Sequence, residues 1–395
     1  MIRRTAPDRC PGVLALHESR DGALARVRLP GGRLTAAQLR AVADVAASLG
    51  SGLVDLTVRA NIQIRGLAGD VGGAVAERLD AAGLLPSLAH ERARTILASP
   101  LAGRDAAARL DARPLVDRLD ALICDDPALA ELPGRFAFLV EDGSGAMAAV
   151  GHDVALAPVA SLGGPDDGRL ALVVGGEDAG LRAEPAAAPA MAAAAARAFL
   201  AERGRSGSGA WRVCELPGGP AAVIARARAA LRGEAAIQTA PPGRWAAFPS
   251  PPGPAGPLAQ PDGRVALGAV VPLGRLDPGA LRALAAASER GAGEVRLSVW
   301  RTALVPDLHP AAAAPAAAAL ARAGMACDAG SPWLGLSACA GLEGCASALA
   351  DVRAAAARRA GVRRAADPPE HHSGCERRCG EPAGPVVAAV AGGAP

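Results

Sequence analysis

Apolar and polar residues alternate without a break over residues 54–65. Val54, Leu56, Val58, Ala60, Ile62 and Ile64 form one set, and Asp55, Thr57, Arg59, Asn61, Gln63 and Arg65 the other. Period-two alternation puts such sets on opposite faces of a strand. Unbroken, the segment would extend roughly 40 Å, so the pattern predicts a strand with a bend or bulge. One solvated face is the plain reading. The run of Arg, Asn, Gln and Arg at successive outward positions, with no Lys, Glu or Ser among them, also marks a candidate binding surface. Just upstream, Thr35 and Gln38 have the spacing of a capping box. Leu39, Val42, Ala46 and Leu49 then recur at helical period, and Gly50 suits the position after a helix end.

This unit occurs twice. Residues 30–59 align without a gap to 272–301 at a constant offset of 242, with Gly32-Arg33-Leu34 on Gly274-Arg275-Leu276 and Arg59 on Arg301. Each copy reads strand, turn, helix, strand. In the second copy Asp277 caps, Pro278 takes the first helical position and Gly291 ends the helix. There Leu297 and Val299 replace Asp55 and Thr57, so one copy reads as functional on that face and the other as structural. Residues 70–235 mix helix and strand patterns, and 241–261 are Pro- and Gly-rich like a linker. Residues 382–395 predict a short strand at best.

The chain has 395 residues and a net charge of +3, too small to imply a nucleic-acid partner. The Ala-rich runs at 186–196 and 310–321 are too short and too weakly apolar to span a bilayer, and the N-terminus has no apolar leader core. These features predict a cytoplasmic protein with no membrane partner. The sequence contains no lysine, so every anion site must be built from arginine forks, which suit carboxylates and phosphates.

Four of the eight cysteines fall near the C-terminus: Cys339 and Cys345, then Cys375 and Cys379. Two thiol pairs on separate segments can converge on a 4Fe-4S cluster, which takes four thiolates, or on a zinc ion, which takes the same number. Zinc ligands usually lie two to four residues apart, and the wider first gap suits a larger object. Disulfides are the bland alternative, disfavoured in a reducing compartment. Cys10, Cys124, Cys214 and Cys327 read as core thiols. The charges between Cys375 and Cys379 read as a solvated turn, and His371-His372 as a packing feature of a loop.

Taken together, the repeated unit, the R-x-N-x-Q-x-R segment and C-x5-C…C-x3-C resemble the nitrite/sulfite reductase superfamily. Within it the chain looks most like the precorrin-3B synthases of aerobic cobalamin biosynthesis. The likeness runs through Cys10-Pro11-Gly12, residues 59–65, Ser99-Pro100-Leu101-Ala102-Gly103, Leu132-Pro133-Gly134-Arg135-Phe136 and Val299-Trp300-Arg301 to Ser373-Gly374-Cys375 and Cys379. It implies an α+β fold with two ferredoxin-like half-domains paired about a pseudo-twofold, plus two α/β domains. The expected boundaries are 1–70 and 71–240 for the first half, 241–261 for the linker, and 262–310 and 311–395 for the second half, which carries the cluster.

For this branch the resemblance implies oxygen-dependent hydroxylation of precorrin-3A, a polycarboxylate tetrapyrrole, followed by γ-lactone closure. An electron donor, NADH or another reductant, would feed the reaction. Arg59, Arg65, Arg94, Arg135 and Arg301 are the candidate carboxylate ligands, with Asn61 and Gln63 as neutral partners. A mononuclear non-haem iron belongs to the same expectation, with no ligands assignable. Siroheme belongs to the alternative, a sulfite or nitrite reductase. That alternative is disfavoured because Ala137 stands at the second of two lysine positions of the reductase anion site, and Thr95 replaces its usual Asn. A non-catalytic iron–sulfur or zinc protein is the third reading.

Overall fold

The computed structural model describes Asp8, residues 10–245 and residues 253–392. The chain divides into two compact units, one of Met1–Cys10 with Pro86–Ser250 and one of Pro11–Leu85 with Pro251–Pro395. The second unit therefore draws on both ends of the chain. The helix Gly72–Ala81 belongs to it, beyond the expected boundary at 70. Part of the expected linker, residues 246–252, lies outside the described residues, and its last part forms the strand Gly256–Ala259.

In that unit the two repeats build two five-stranded antiparallel sheets. The first has the order His17–Ser19, Gly22–Val27, Ile62–Leu67, Val54–Leu56 and Arg275–Leu276. The second runs Gly256–Ala259, Val265–Val270, Thr302–Leu308, Glu294–Leu297 and Arg33–Thr35. Each repeat thus lends its short strand to the edge of the other's sheet: Leu276 pairs with Val54, and Leu34 with Val295. The reciprocal exchange is the pseudo-twofold in physical form. Helices Ala36–Leu49 and Pro278–Ser288 pack together over both sheets. Leu39, Val42 and Ala46 meet Leu281, Leu284, Ile62 and Val295 in one core. Both helix starts are as expected: Thr35 and Gln38 form a complete capping box, and Asp277 accepts from the Ala280 N–H.

Two expectations need correction. Residues 54–65 are not one bent strand but a hairpin, with Val54 opposite Ile64 and Leu56 opposite Ile62. The Thr57 carbonyl accepts from Ala60 N–H, the Asn61 carbonyl accepts from Thr57 N–H, and Ala60 takes a φ of 54°. Paired residues have equal parity, so alternation continues through the reversal and hides it. The gapless alignment also slips before the second strand. There the structural offset is 241, since Val54 matches Val295. Ala60, not Arg59, is the counterpart of Arg301, which has a φ of 60° and the same turn hydrogen bonds. Arg59 corresponds to Trp300.

A third sheet, parallel and of three strands, contains Leu336–Ala338, Glu370–Ser373 and Val387–Val390. The helix Val352–Ala360 covers it through Ala356 and Ala360 against Leu336 and Ala338.

The other unit is a six-stranded mixed sheet in the order Ile237–Thr239, Glu177–Ala183, Leu170–Val174, Val154–Pro158, Phe138–Val140 and Ile96–Ala98. Helix Ala188–Arg205 lies deep in its core, with Ala192, Ala195, Ala196 and Phe199 buried. The Ala-rich run at 186–196 is therefore an interior packing surface, where small side chains allow close approach. Among the described residues no helix is long and apolar enough to cross a membrane.

Because the exchanged strands are held by one buried leucine each, Leu34 (0% exposed) and Leu276 (2%), replacing either with Ala is expected to cost about 2–5 kcal/mol. Both should show the loss in chemical denaturation, and an effect at one strand alone would contradict a symmetric exchange.

Candidate functional site

The parallel sheet carries two distant segments to one end. Ala338 lies beside His372, so Cys339 and Cys375 both follow closely on the carboxyl ends of neighbouring strands. Cys339 N–H donates to the His372 carbonyl at 3.0 Å, and Cys339 Sγ accepts from Gly374 N–H at 3.2 Å. The short helix Gly341–Gly344 leads to Cys345, and Leu349 N–H donates to the Gly374 carbonyl at 2.8 Å, tying the two cysteine loops together. Cys379 is open on one side. Burial on its inner side, reinforced by the charges of Cys375, Cys339 and Cys345, pushes its thiol above the ordinary range. The other cysteines differ: Cys327 is pushed by burial to about 11, Cys10 Sγ donates to the Gly134 carbonyl, and Cys214 is exposed rather than a core thiol.

Buried arginines reach this end from the half-domain sheets. Arg65 (1% exposed) holds both oxygens of Asp21 at 2.8 Å, lies 3.3 Å from Asp55, and donates Nη2 to the Gly344 carbonyl at 3.1 Å. Ser19 Oγ donates to the same carbonyl at 2.7 Å. Arg301 (7% exposed) donates to the Gly380 carbonyl. Burial lowers its pKa to about 10, against the opposing pull of Asp55 and Cys339. Arg275 Nε donates to Asp55 Oδ1 at 2.8 Å. Burial alone would raise the Asp55 carboxyl, but Arg275, Arg65 and Arg353 outweigh it, and the group ends below its ordinary value.

Most of the expected carboxylate ligands therefore have work inside the protein. Arg65 is an ion-paired strut. Asn61 is buried and its Oδ1 accepts from Leu29 N–H at 2.8 Å, while Gln63 Oε1 accepts from Arg26 at 2.7 Å. In the other unit Arg94 makes a fork on Asp120 at 2.7 and 2.6 Å, and exposed Arg135 lies 5.1 Å over the Trp211 ring. Arg59 stands half-buried in the hairpin turn, its N–H donating to Thr57 Oγ1 at 3.2 Å. The missed signal was the set of acidic partners, Asp21, Asp55 and Asp120, which sequence spacing does not join to these arginines.

His371 and His372 lie on a buried strand, not a loop. His372 Nε2 meets Glu370 at 2.7 Å, and His371 Nδ1 meets Ser337 Oγ at 2.8 Å. Among the described residues, no three His, Cys, Asp or Glu side chains stand close enough to hold a single metal ion, so the expected non-haem iron finds no ligand set there. The donor chemistry does fit a four-thiolate cluster. In addition, Ser373 Oγ, on the strand leading to Cys375, is buried without a hydrogen-bond partner. That is the environment expected beside a bound group.

The exchanged half-domains define a protein of the nitrite/sulfite reductase-like fold. The family described as Nitrite/Sulfite reductase ferredoxin-like half domain matches residues 17–82 and 257–323, one segment in each repeat. The NirA protein of Mycobacterium tuberculosis superposes with a TM-score of 0.72 at 22% identity, covering 91% of this chain and 69% of that one. More particularly, the chain is 28% identical over 388 residues to the precorrin-3B synthase of Sinorhizobium sp, covering 94% of this chain and 78% of that protein. It is also 33% identical over 131 residues to the ferredoxin–nitrite reductase of Leptolyngbya laminosa, 32% of this chain. The matched segments span about a quarter of the length of the nitrite reductases.

Burial, with the Arg301 charge behind it, lowers the His371 pKa from 6.5 to about 3; the nearby Cys379 backbone offsets this only in part. Folding thus holds this imidazole neutral, so its contribution is complete above about pH 6.5 and is lost as pH falls toward 3. In His371→Gln the decline of thermal midpoint over that window should be shallower than in the wild type. Parallel pH profiles would show that His371 is not held in this way.

Proposed function

We propose that this chain is an oxidoreductase that hydroxylates a tetrapyrrole in the manner of a precorrin-3B synthase. The observation that carries the reading is the similarity to that enzyme along 94% of the chain, against about a third for the nitrite reductase. Cys339, Cys345, Cys375 and Cys379 would hold a 4Fe-4S cluster, which supplies single-electron transfer when bound. Precorrin-3A would enter as a polycarboxylate. One oxygen atom of dioxygen would add to the carbon bridging rings A and D, the other leaving as water with two electrons from NADH or another reductant and two protons, at least one of them from solvent. A ring A acetate would then close the γ-lactone.

Within this scheme Arg59 is the candidate carboxylate ligand of the half-domain unit. Its pseudo-twofold counterpart, Trp300, has an aromatic face suited to a flat macrocycle. Arg65 and Arg301 support the cysteine loops, and Asn61 and Gln63 hold the hairpin.

The second reading, a siroheme-dependent sulfite or nitrite reductase, draws on the local nitrite reductase similarity. Ala137 weighs against it. This residue is fully buried, and its N–H donates to Asp153 at 3.0 Å. A lysine side chain would overpack that position, so the second cationic group of the reductase anion site has no place here. A non-catalytic zinc or iron–sulfur protein is the remaining alternative.

Protein purified without oxygen should be brown, with iron and acid-labile sulfide and a broad absorption. Strong siroheme bands in the extracted pigment would favour the reductase, and zinc without sulfide would favour the non-catalytic alternative. Arg59→Ala should weaken tetrapyrrole binding at least tenfold with iron and sulfide unchanged. Loss of the iron centre in that variant would make Arg59 structural.

A further inference from the structure

We propose that Arg65 and Arg301 are a pair of positioning residues for the cysteine site, each clamping one cysteine loop by its backbone and holding a fixed positive charge beside it. This rests on the reading that the four thiols bind an iron–sulfur cluster. The two arginines divide the work. Arg65, on strand Ile62–Leu67 of the first sheet, grips the carbonyl of Gly344, immediately before Cys345. Arg301, in the turn before strand Thr302–Leu308 of the second sheet, grips the carbonyl of Gly380, immediately after Cys379. Each half of the duplicated core therefore fixes one thiol pair.

Both gripped residues are glycines, and the contact requires it. A Cβ at Gly344 would lie 2.3 Å from Arg65 Nη2, and one at Gly380 would lie 2.7 Å from Arg301 Nη2. The Arg65 guanidinium cannot swing aside, because Asp21 holds it through two hydrogen bonds of 2.8 Å and Asp55 lies 3.3 Å away. The Gly344 carbonyl is held from two directions, since Ser19 Oγ also donates to it.

Arg301 adds a second, independent observation. Among the described residues no carboxylate lies within ion-pair distance of its guanidinium, although it is only 7% exposed. A buried charge without a counterion is costly, and Cys339, one of the four cysteines of the site, lies in its neighbourhood together with Asp55. Four thiolates around an iron–sulfur core carry net negative charge, so a loaded site would compensate this arginine. The same cation favours the reduced, more negative state, since net charge and hydrogen bonding set cluster potentials.

The test uses the holoprotein purified anaerobically, with iron, acid-labile sulfide, the electron paramagnetic resonance spectrum and the midpoint potential as readouts. Arg301→Gln removes charge without stranding a carboxylate. It is expected to lower the reduced-to-oxidised ratio at fixed poise at least tenfold, about 59 mV for one electron. Arg301→Lys should restore most of that shift. Gly344→Ala keeps every charge but displaces the clamp, and should lower retained iron and sulfide at least twofold while the far-ultraviolet circular dichroism stays native. An unchanged potential in Arg301→Gln would overturn the electrostatic role, and unchanged iron and sulfide in Gly344→Ala would overturn the clamp. Wild-type protein without iron and sulfide would instead remove the cluster reading on which the inference rests.

Discussion

The carboxylate of Asp55 joins the two features on which the half-domain unit depends. Arg275, carried on a strand borrowed from the second repeat, donates to it. Arg65, reaching toward the cysteine loops, lies against it at 3.3 Å. The contacts from Arg275 through Asp55 and Arg65 to Gly344 thus link sheet exchange to the geometry of Cys345. Desolvating such a group is repaid only when its partners are close and well aligned, and removing one partner leaves the others uncompensated. In this arrangement Asp55 and Asp21 are each held by guanidinium partners.

Local signals in the sequence were read correctly where the physics is local. The capping box at Thr35 and Gln38 and the cap at Asp277 depend on residues three apart, and both formed. The cysteine spacing pointed to two loops meeting, and parallel pairing of Leu336–Ala338 with Glu370–Ser373 brings them to one end. The hairpin at 54–65 was illegible for a definite reason: pairs of equal parity preserve alternation through the turn. The repeat offset shifted for another, since the run from helix start to strand is one residue shorter in the second copy.

The internal partners of the arginines were not legible because they are remote in sequence. Arg65 and Gly344 are 279 residues apart, and Arg65 and Asp21 are 44 apart. In a chain without lysine, guanidinium forks also do the internal work of ion pairing, as Arg94 with Asp120 and Arg182 with Asp178 illustrate. An outward-facing arginine in the pattern is thus as much a candidate for a fold-internal pair as for a ligand. Of the polar set at 54–65, Arg59 lies in the hairpin turn rather than on either paired strand.

The swapped edge strands also constrain ancestry. A single copy of the repeat would leave a sheet edge unpaired, a liability for any folded domain, and docking with an identical molecule is one way to satisfy it. Such a homodimer would be isologous and would own two equivalent turns. Fusing the copies into one polypeptide makes closure independent of concentration and lets the twins diverge, so that one turn keeps Arg59 while its sibling keeps Trp300. Broken symmetry lets a duplicated scaffold present different side chains at two equivalent turns.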